Sequence, residues 1–143
     1  MKLRLNFFLL IASVFLFTAC SSKNPPLQTV SKVDLNKYLG TWYEIARYEH
    51  FFEKDCKNVT ANYSIMDENL IQVINSCVKI TTNEKKEAKA RAYAVDNTNS
   101  KLKVSFFRPF YGDYWGLILY EQYNCAGIWA PNRKYLWILY WTK

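Results

Sequence analysis

Residues 101–107 read KLKVSFF, a stretch in which polar and apolar side chains take turns. One face of the extended chain carries three apolar side chains, those of Leu102, Val104 and Phe106. A β-strand with one face in a core and the other in water alternates in this way. The stretch therefore predicts an antiparallel strand that points these three side chains inward.

Strand-like segments separated by turn residues continue along the rest of the chain. They cover residues 40–50, 58–66, 70–79, 86–95, 114–123, 125–131 and 135–141. KEAKARAY, at 86–93, also suits a helix, but we predict a strand because strands flank it on both sides. Eight short, evenly spaced strands after a helical turn near 34–39 predict an all-β fold, an eight-stranded antiparallel up-and-down β-barrel. Such a barrel is filled by its own side chains or holds one small ligand.

The first 19 residues have the character of an export signal. A charged start, MKLR, precedes the apolar run FFLLIASVFLFT, which is too short to span a bilayer core of about 30 Å as a helix. The run ends in LFTAC, which resembles the lipobox of bacterial lipoproteins. The resemblance implies a lipid anchor on Cys20 and, with Ser21 after it, an outer-membrane location; the alternative is ordinary cleavage that leaves Cys20 free. We expect a signal at 1–19, a tether at 20–32 and the barrel at 33–143.

The charge pattern and the reactive residues argue against several functions. Without Lys2 and Arg4 of the signal, 17 basic and 12 acidic residues remain, and no nucleic-acid motif interleaves with them. We predict no nucleic-acid partner; the basic surface is either simply solvated or attracted to anionic lipid. His50 is the one histidine, and the chain has no Gly-rich phosphate loop or Gly-x-Ser-x-Gly elbow. We therefore predict no enzyme activity, no metal and no cofactor, with His50 either on the surface or in contact with a ligand head.

Two cysteines are placed to form a disulfide bond. The second and third strands fold back about a turn near residues 66–68, which puts Cys56 nearly opposite Cys77. An exported protein reaches a compartment that permits the bond. We predict the Cys56–Cys77 bridge; the alternative is two free thiols that face opposite ways. Cys125 is then left over, as a packed thiol or a link between subunits.

Three stretches resemble the lipocalin family in its bacterial outer-membrane branch. They are KYLGTWYEIARYEHFFEKDCKNVTANYSI at 37–65, LKVSFFRPFYGDYW at 102–115 and PNRKYLWIL at 131–139. The Gly-Thr-Trp at residues 40–42 matches the family's first motif. The resemblance implies an eight-stranded up-and-down barrel that carries a hydrophobic ligand, a fatty acid or a lysophospholipid. The expected partners are this lipid and, through the anchor, the membrane.

The first motif also has a physical interpretation. Gly40 lets the backbone turn tightly into the first strand, and Trp42 then points inward to plug one end of the barrel. By alternation Glu44 and Ala46 follow Trp42 inside, while Arg47 faces outward. A carboxylate in an apolar space must pair, become neutral or contact a polar ligand head. Alternation gives the expected ligand-binding residues: Trp42, Glu44, Ala46, Ala61, Tyr63, Phe106, Trp115, Leu117, Trp137 and Leu139.

The end of the sequence departs from the family pattern. Lipocalins that resemble this chain continue past the eighth strand into a helix that covers its outer face, and we expect that C-terminal helix to be missing here. Tyr140 and Trp141 stand where the family usually has Ser-Arg. Three explanations remain open: an incomplete or decayed copy of a longer gene, a homodimer through the bare face, or contact with the membrane. The alternative to a lipid carrier is a structural or remnant lipoprotein with a filled barrel and no ligand.

Overall fold

The computed structural model describes residues 24–141 as a closed barrel of antiparallel strands. A four-residue helix precedes the strands, and a short 3-10 turn, Phe51–Glu53, separates the first two. The strands follow chain order around the barrel, and the last pairs with the first. The elements are α1 (Leu35–Tyr38), β1 (Gly40–Arg47), β2 (Cys56–Asp67), β3 (Leu70–Lys79), β4 (Lys85–Ala94), β5 (Lys101–Phe107), β6 (Phe110–Leu119), β7 (Cys125–Trp129) and β8 (Leu136–Trp141).

The predicted fold class is confirmed, and the ambiguous segment KEAKARAY is a strand. It lies in β4, which pairs with β3 on one side and β5 on the other. A helix there would leave the facing backbone groups of β3 and β5 without partners, and that cost outweighs the weak helix preference of Ala, Lys and Glu.

The connections give the barrel an open end and a closed end. The open end carries the connections 48–55, 80–84, 108–109 and 130–135. The closed end carries α1 and the connections 68–69, 95–100 and 120–124. Between residues 24 and 141, no helix has the length and hydrophobicity needed to cross a bilayer.

The first motif seals the closed end. Asp34 caps α1 by accepting a backbone hydrogen bond of 3.1 Å in its first turn. Gly40 has a φ of +112°, and a Cβ there would lie 3.1 Å from Trp141 Nε1, so both conformation and space favour glycine. Trp42 is fully buried, and its Nε1 donates to the Tyr38 carbonyl at 2.8 Å. The predicted turn at Gly40 and inward orientation of Trp42 are confirmed.

The predicted disulfide bond is confirmed. Cys56 of β2 and Cys77 of β3 are bonded, with their Cα atoms 5.5 Å apart. Both are buried beside Val59 in a small cluster separate from the main core. Cys125 of β7 is half-buried and carries a free thiol.

A bulge in β1 reverses two of the predicted orientations. The pairing of β1 with β8 skips Ile45, so Ala46 pairs with Ile138 and Arg47 pairs with Trp137. Paired residues share a face of the sheet, and Trp137 packs against the buried core. Arg47 therefore faces inward, and Ala46 faces outward and is exposed. The predictions for Ala46 and Arg47 are wrong because one extra residue shifts the alternation by one position.

The inward and outward faces of strand β6 are the reverse of the prediction. Trp115 pairs with Lys101 on the outer face, and Lys101 Nζ lies 4.6 Å from the Trp115 ring centroid. Its neighbour Tyr114 is the inward residue, opposite the buried Leu102. The inward prediction for Trp115 is wrong because both faces of this strand are apolar and polarity does not fix the phase. Leu117 lies at a second irregularity, between Gly116 and Ile118, and its side chain is outside the described part of the structure.

The prediction of an inward Phe106 also needs correction. Phe106 lies beyond Ser105, where the pairing of β5 with β4 ends, and within the irregular pairing between Val104 and Phe107. It is 43% exposed. Phe106 therefore lies at the mouth of the barrel and not in its interior.

Candidate functional site

One wall of the barrel interior is built from alanine. Every second residue of β4 from Ala88 to Ala94 is alanine, and this face pairs with inward residues of β3 and β5. Small side chains leave space that leucine or phenylalanine would fill. Two inward side chains of this interior are only half-buried: Tyr114, opposite Leu102 near the closed end, and Trp137, opposite Arg47 nearer the mouth. The interior is therefore not filled completely by its own side chains.

Three tyrosine hydroxyls meet above the closed end. Tyr114 Oη lies 2.6 Å from Tyr63 Oη and 3.3 Å from Tyr38 Oη. The ring of Tyr38 stacks on Trp42, with centroids 4.6 Å apart. Burial raises the pKa of Tyr63 to about 12 and holds the pKa values of Tyr38 and Tyr114 well above the usual range. The three phenols therefore stay neutral and satisfy one another beneath the open part of the interior.

Four polar side chains form a second group nearer the mouth, which we call the mouth cluster: Glu44, Arg47, His50 and Glu53. Arg47 Nη1 donates to Glu44 Oε1 at 2.5 Å, and Arg47 Nε lies 3.7 Å from Glu53 Oε2. Arg47 Nη2 also donates to the Glu53 carbonyl at 2.9 Å. His50 Nε2 lies 3.0 Å from Glu53 Oε2, but neither ring nitrogen makes an aligned hydrogen bond within the described structure. The bulge at Ile45 creates this group by turning Arg47 inward.

The electrostatics of the mouth cluster follow from its burial. The Glu44 side chain is 5% exposed and the Glu53 side chain 13%. Desolvation raises the pKa of both carboxyls, and the hydrogen bond from Arg47 opposes the rise at Glu44. Burial lowers the pKa of His50, with the charge of Arg47 adding to the effect. Two carboxylates share one fixed cation, so the cluster presents charges of both signs.

Aromatic rings surround the cluster and connect it to the interior. Trp137 lies with its ring centroid 5.5 Å from His50 and 6.5 Å from Tyr114. Its Nε1 donates to Glu53 Oε2 at 3.4 Å. His50 stacks on Phe52 at 3.9 Å. This packing buries His50, so of the two predicted environments the surface position is wrong.

Asn75 supplies an acceptor without a partner. It lies on the inner face of β3, between Ala61 of β2 and Ala88 of β4. Its Oδ1 is buried and makes no hydrogen bond to any described residue. Buried polar atoms in proteins normally find a partner. The oxygen is therefore available to a donor on a molecule inside the barrel.

The predicted ligand-binding residues fall into three groups. Six face the interior: Trp42, Glu44, Ala61, Tyr63, Trp137 and Leu139. Ala46 and Trp115 lie on the outer surface and Phe106 lies at the mouth, while the Leu117 side chain and the predicted lipid site, Cys20, are outside the described residues. Sequence reasoning missed Arg47, Tyr114, Asn75 and the β4 alanines. The alternation in KEAKARAYA could have indicated the alanines; a bulge gives no comparable signal.

Two clefts lie at the closed end, away from the mouth cluster. They have volumes of about 570 and 310 Å³ and share Leu35, Ile65, Glu68 and Asn99. The larger is broad and shallow, and both are rich in polar groups from turns. Neither brings together inward-facing aromatic and charged groups, so we take the barrel interior as the candidate site.

A family model described as a lipocalin-like domain matches residues 33–142. The chain belongs to the lipocalin family. Lipocalin barrels of eight strands hold one small ligand. This membership therefore favours a binding protein.

Relatives of this lipocalin include bacterial lipoproteins. It is 43% identical over 132 residues to the outer membrane lipoprotein Blc of Citrobacter freundii, covering 90% of this chain and 75% of that protein. It is 42% identical over 134 residues to Blc of Vibrio cholerae, covering 92% and 78%. Those names agree with the predicted outer-membrane location. Insecticyanin from the tobacco hornworm Manduca sexta shares the fold, with a TM-score of 0.66 at 22% identity over 81% of this chain and 67% of that one.

Proposed function

We propose that this lipocalin is anchored in the outer membrane through a lipid on Cys20 and binds one single-chain lipid in its barrel. Fatty acids and lysophospholipids are the candidate ligands, for lipid transport, storage or membrane maintenance. The observation that carries the proposal is the mouth cluster above an alanine-lined interior. Burying charged groups costs free energy, and a purely apolar ligand makes no hydrogen bond or ion pair with them that would offset this cost.

The composition of the cluster favours a head group with charges of both signs. Arg47 is a donor for phosphate, and the carboxylates of Glu44 and Glu53 accept from an ammonium group. A fatty acid would bring a third carboxylate close to these two. A zwitterionic lysophospholipid matches both signs, and Asn75 Oδ1 can accept from its free glycerol hydroxyl. We therefore propose a zwitterionic lysophospholipid as the preferred ligand.

The remaining interior suits the hydrocarbon chain. Below the cluster, a single acyl chain would run beside Trp137 and the β4 alanines toward Trp42 at the closed end. Each buried methylene contributes about 0.8 kcal/mol. The tyrosine hydroxyls hydrogen-bond to one another, so an acyl chain that covers them leaves no hydroxyl without a hydrogen-bond partner.

Fluorescence titration tests the proposal. A fluorescent fatty acid should quench tryptophan emission saturably at one molecule per chain, and lysophosphatidylethanolamine should displace it at a lower concentration than palmitate. Arg47→Met should weaken the binding of lysophosphatidylethanolamine by about tenfold or more, because a hydrogen bond to a charged group usually contributes at least that much. Arg91→Met, on the exposed outer face of β4, is the matched control. A flat signal at micromolar ligand would support the filled barrel and contradict the proposal.

A further inference from the structure

The open end of the barrel carries the most exposed aromatic side chains in the described structure. Phe51 is 82% exposed, Phe107 is 80% exposed and Phe110 is 77% exposed. Phe51 belongs to the connection between β1 and β2, whereas the other two flank the turn between β5 and β6. The β1–β2 connection and the β5–β6 turn lie on opposite sides of an eight-stranded barrel, so aromatic rings lie on both sides of the mouth. We call these three residues the rim.

Basic residues accompany the rim. The open-end segments 48–57, 79–87, 107–111 and 130–135 carry eight basic and five acidic residues. The closed-end segments 32–39, 65–70, 94–101 and 119–125 carry three basic and five acidic residues. Arg108 lies between Phe107 and Phe110, and Lys54 follows Phe51 closely. Apolar rings that alternate with cations suit the interface of an anionic bilayer.

The tether also leads to the open end of the barrel. Near the closed end, Val33 N donates to the Thr98 carbonyl at 2.7 Å and Val30 N to the Gly116 carbonyl at 3.0 Å. Further toward the N-terminus, the Pro25 carbonyl accepts from Arg133 Nη2 at 2.7 Å. Arg133 belongs to the open-end connection 130–135. The tether therefore runs from the closed end to the open end of the barrel.

This course limits where an anchor on Cys20 would hold the protein. Cys20 precedes Pro25 by five residues, which span at most about 18 Å when extended. An anchored lipid would lie within that reach of the mouth. The same bilayer would then meet the rim before it met the closed end.

We propose that this lipocalin docks onto an anionic bilayer through the rim, with the mouth of its barrel facing the lipid surface. The proposal rests on the proposed function for its anchor and its ligand. It adds an orientation in which a single-chain lipid passes between bilayer and barrel without crossing bulk water.

Vesicle binding by unanchored protein tests the docking surface. The mature-length chain, residues 20–143 with Cys20→Ser, should float with vesicles of phosphatidylethanolamine and phosphatidylglycerol and bind less to phosphatidylcholine alone. The double variant Phe107→Ser/Phe110→Ser should lose about tenfold or more of this affinity, since it removes two aromatic groups from the interface. Ile65→Ser/Met66→Ser is the matched control, because these closed-end side chains are 50% and 44% exposed. Equal losses in the two double variants, or no loss at the rim, would overturn the proposal.

Orientation is measured on the lipidated full chain in the same vesicles. With Cys125 replaced by Ser, a fluorophore at Phe110→Cys should be quenched by lipid-borne spin labels more strongly than one at Asn97→Cys in the closed-end turn. Equal or reversed quenching would contradict docking, as would rim-dependent dimers in sedimentation without vesicle binding. Circular dichroism checks that each variant folds. The fluorescent fatty acid titration on the same samples separates the two ideas, because lost ligand binding with intact docking would count against the proposed function alone.

Discussion

Glu44 and Arg47 are three residues apart in β1, yet both side chains enter the barrel and meet at 2.5 Å. In a regular strand, residues with this spacing face opposite sides. The extra residue at Ile45 removes that separation. One irregularity thus pairs a buried carboxylate with its cation and places a charged group beside the interior.

Arg47→Met is expected to destabilise the protein by about 3 kcal/mol, because it leaves the Glu44 carboxylate buried without its partner. Arg47→Met combined with Glu44→Gln should recover much of that loss. Urea unfolding of the three proteins measures the effect. Lys85→Met, which breaks an exposed ion pair with Glu87, is the control and should change little. If Arg47→Met were no less stable than Lys85→Met, the Glu44–Arg47 pair would contribute little to stability.

His50 should make stability depend on pH. Burial lowers its pKa, so the folded protein holds fewer protons on His50 than the unfolded chain does. The contribution of His50 to the stability of the folded protein is fully present above pH about 6.5. It is lost as the pH falls through the lower pKa that His50 has in the folded protein. The raised pKa values of Glu44 and Glu53 act in the opposite direction.

Comparison with His50→Gln isolates the histidine contribution. Urea unfolding between pH 7.5 and 5.5 should show wild type losing stability relative to the variant as the pH falls. Parallel pH profiles for the two proteins would contradict this assignment.

Tyr114→Phe removes the hydroxyl that serves both Tyr63 and Tyr38. We expect a loss of about 1–3 kcal/mol in thermal or urea unfolding, because the remaining hydroxyls stay buried. Tyr111→Phe is the control, since that ring is 39% exposed. Ultraviolet titration offers a second check, because the three mutually hydrogen-bonded phenols should remain protonated at pH 10.5 in the folded protein. Their ionisation together with the exposed tyrosines would contradict the buried arrangement.

Loss of the disulfide bond should cost about 3 kcal/mol, the usual value for closing a loop of this length. Cys56→Ala/Cys77→Ala, unfolded in urea beside the oxidised protein, measures it. Alkylation of the native domain without reductant should label Cys125 and leave the other two unmodified, as read by mass spectrometry. Labelling of Cys56 or Cys77 would show that the bridge is not formed.

Much of the fold could be predicted because its strands alternate in polarity. The number and order of strands and the Cys56–Cys77 bridge follow from periodicity and turn residues. The turn at Gly40 and the inward Trp42 follow from the resemblance of Gly-Thr-Trp to the family's first motif. Even β4, whose composition suits a helix, was predictable because a closed meander needs a strand between β3 and β5.

The site was less predictable because it depends on irregularities and on distant contacts. The bulge at Ile45 changes which residues line the barrel, and no residue type marks it. In β6 both faces are apolar, so alternation does not choose between Tyr114 and Trp115. His50 is buried by Phe52 and by Trp137 of β8, a neighbour far away in the chain.

A crystal structure of the complex with lysophosphatidylethanolamine would show where the lipid lies. We predict one acyl chain inside the barrel beside Trp137 and the β4 alanines, with the phosphate within hydrogen-bonding distance of Arg47. A lipid bound in the closed-end cleft, or a barrel filled by its own side chains with lipid absent, would contradict it.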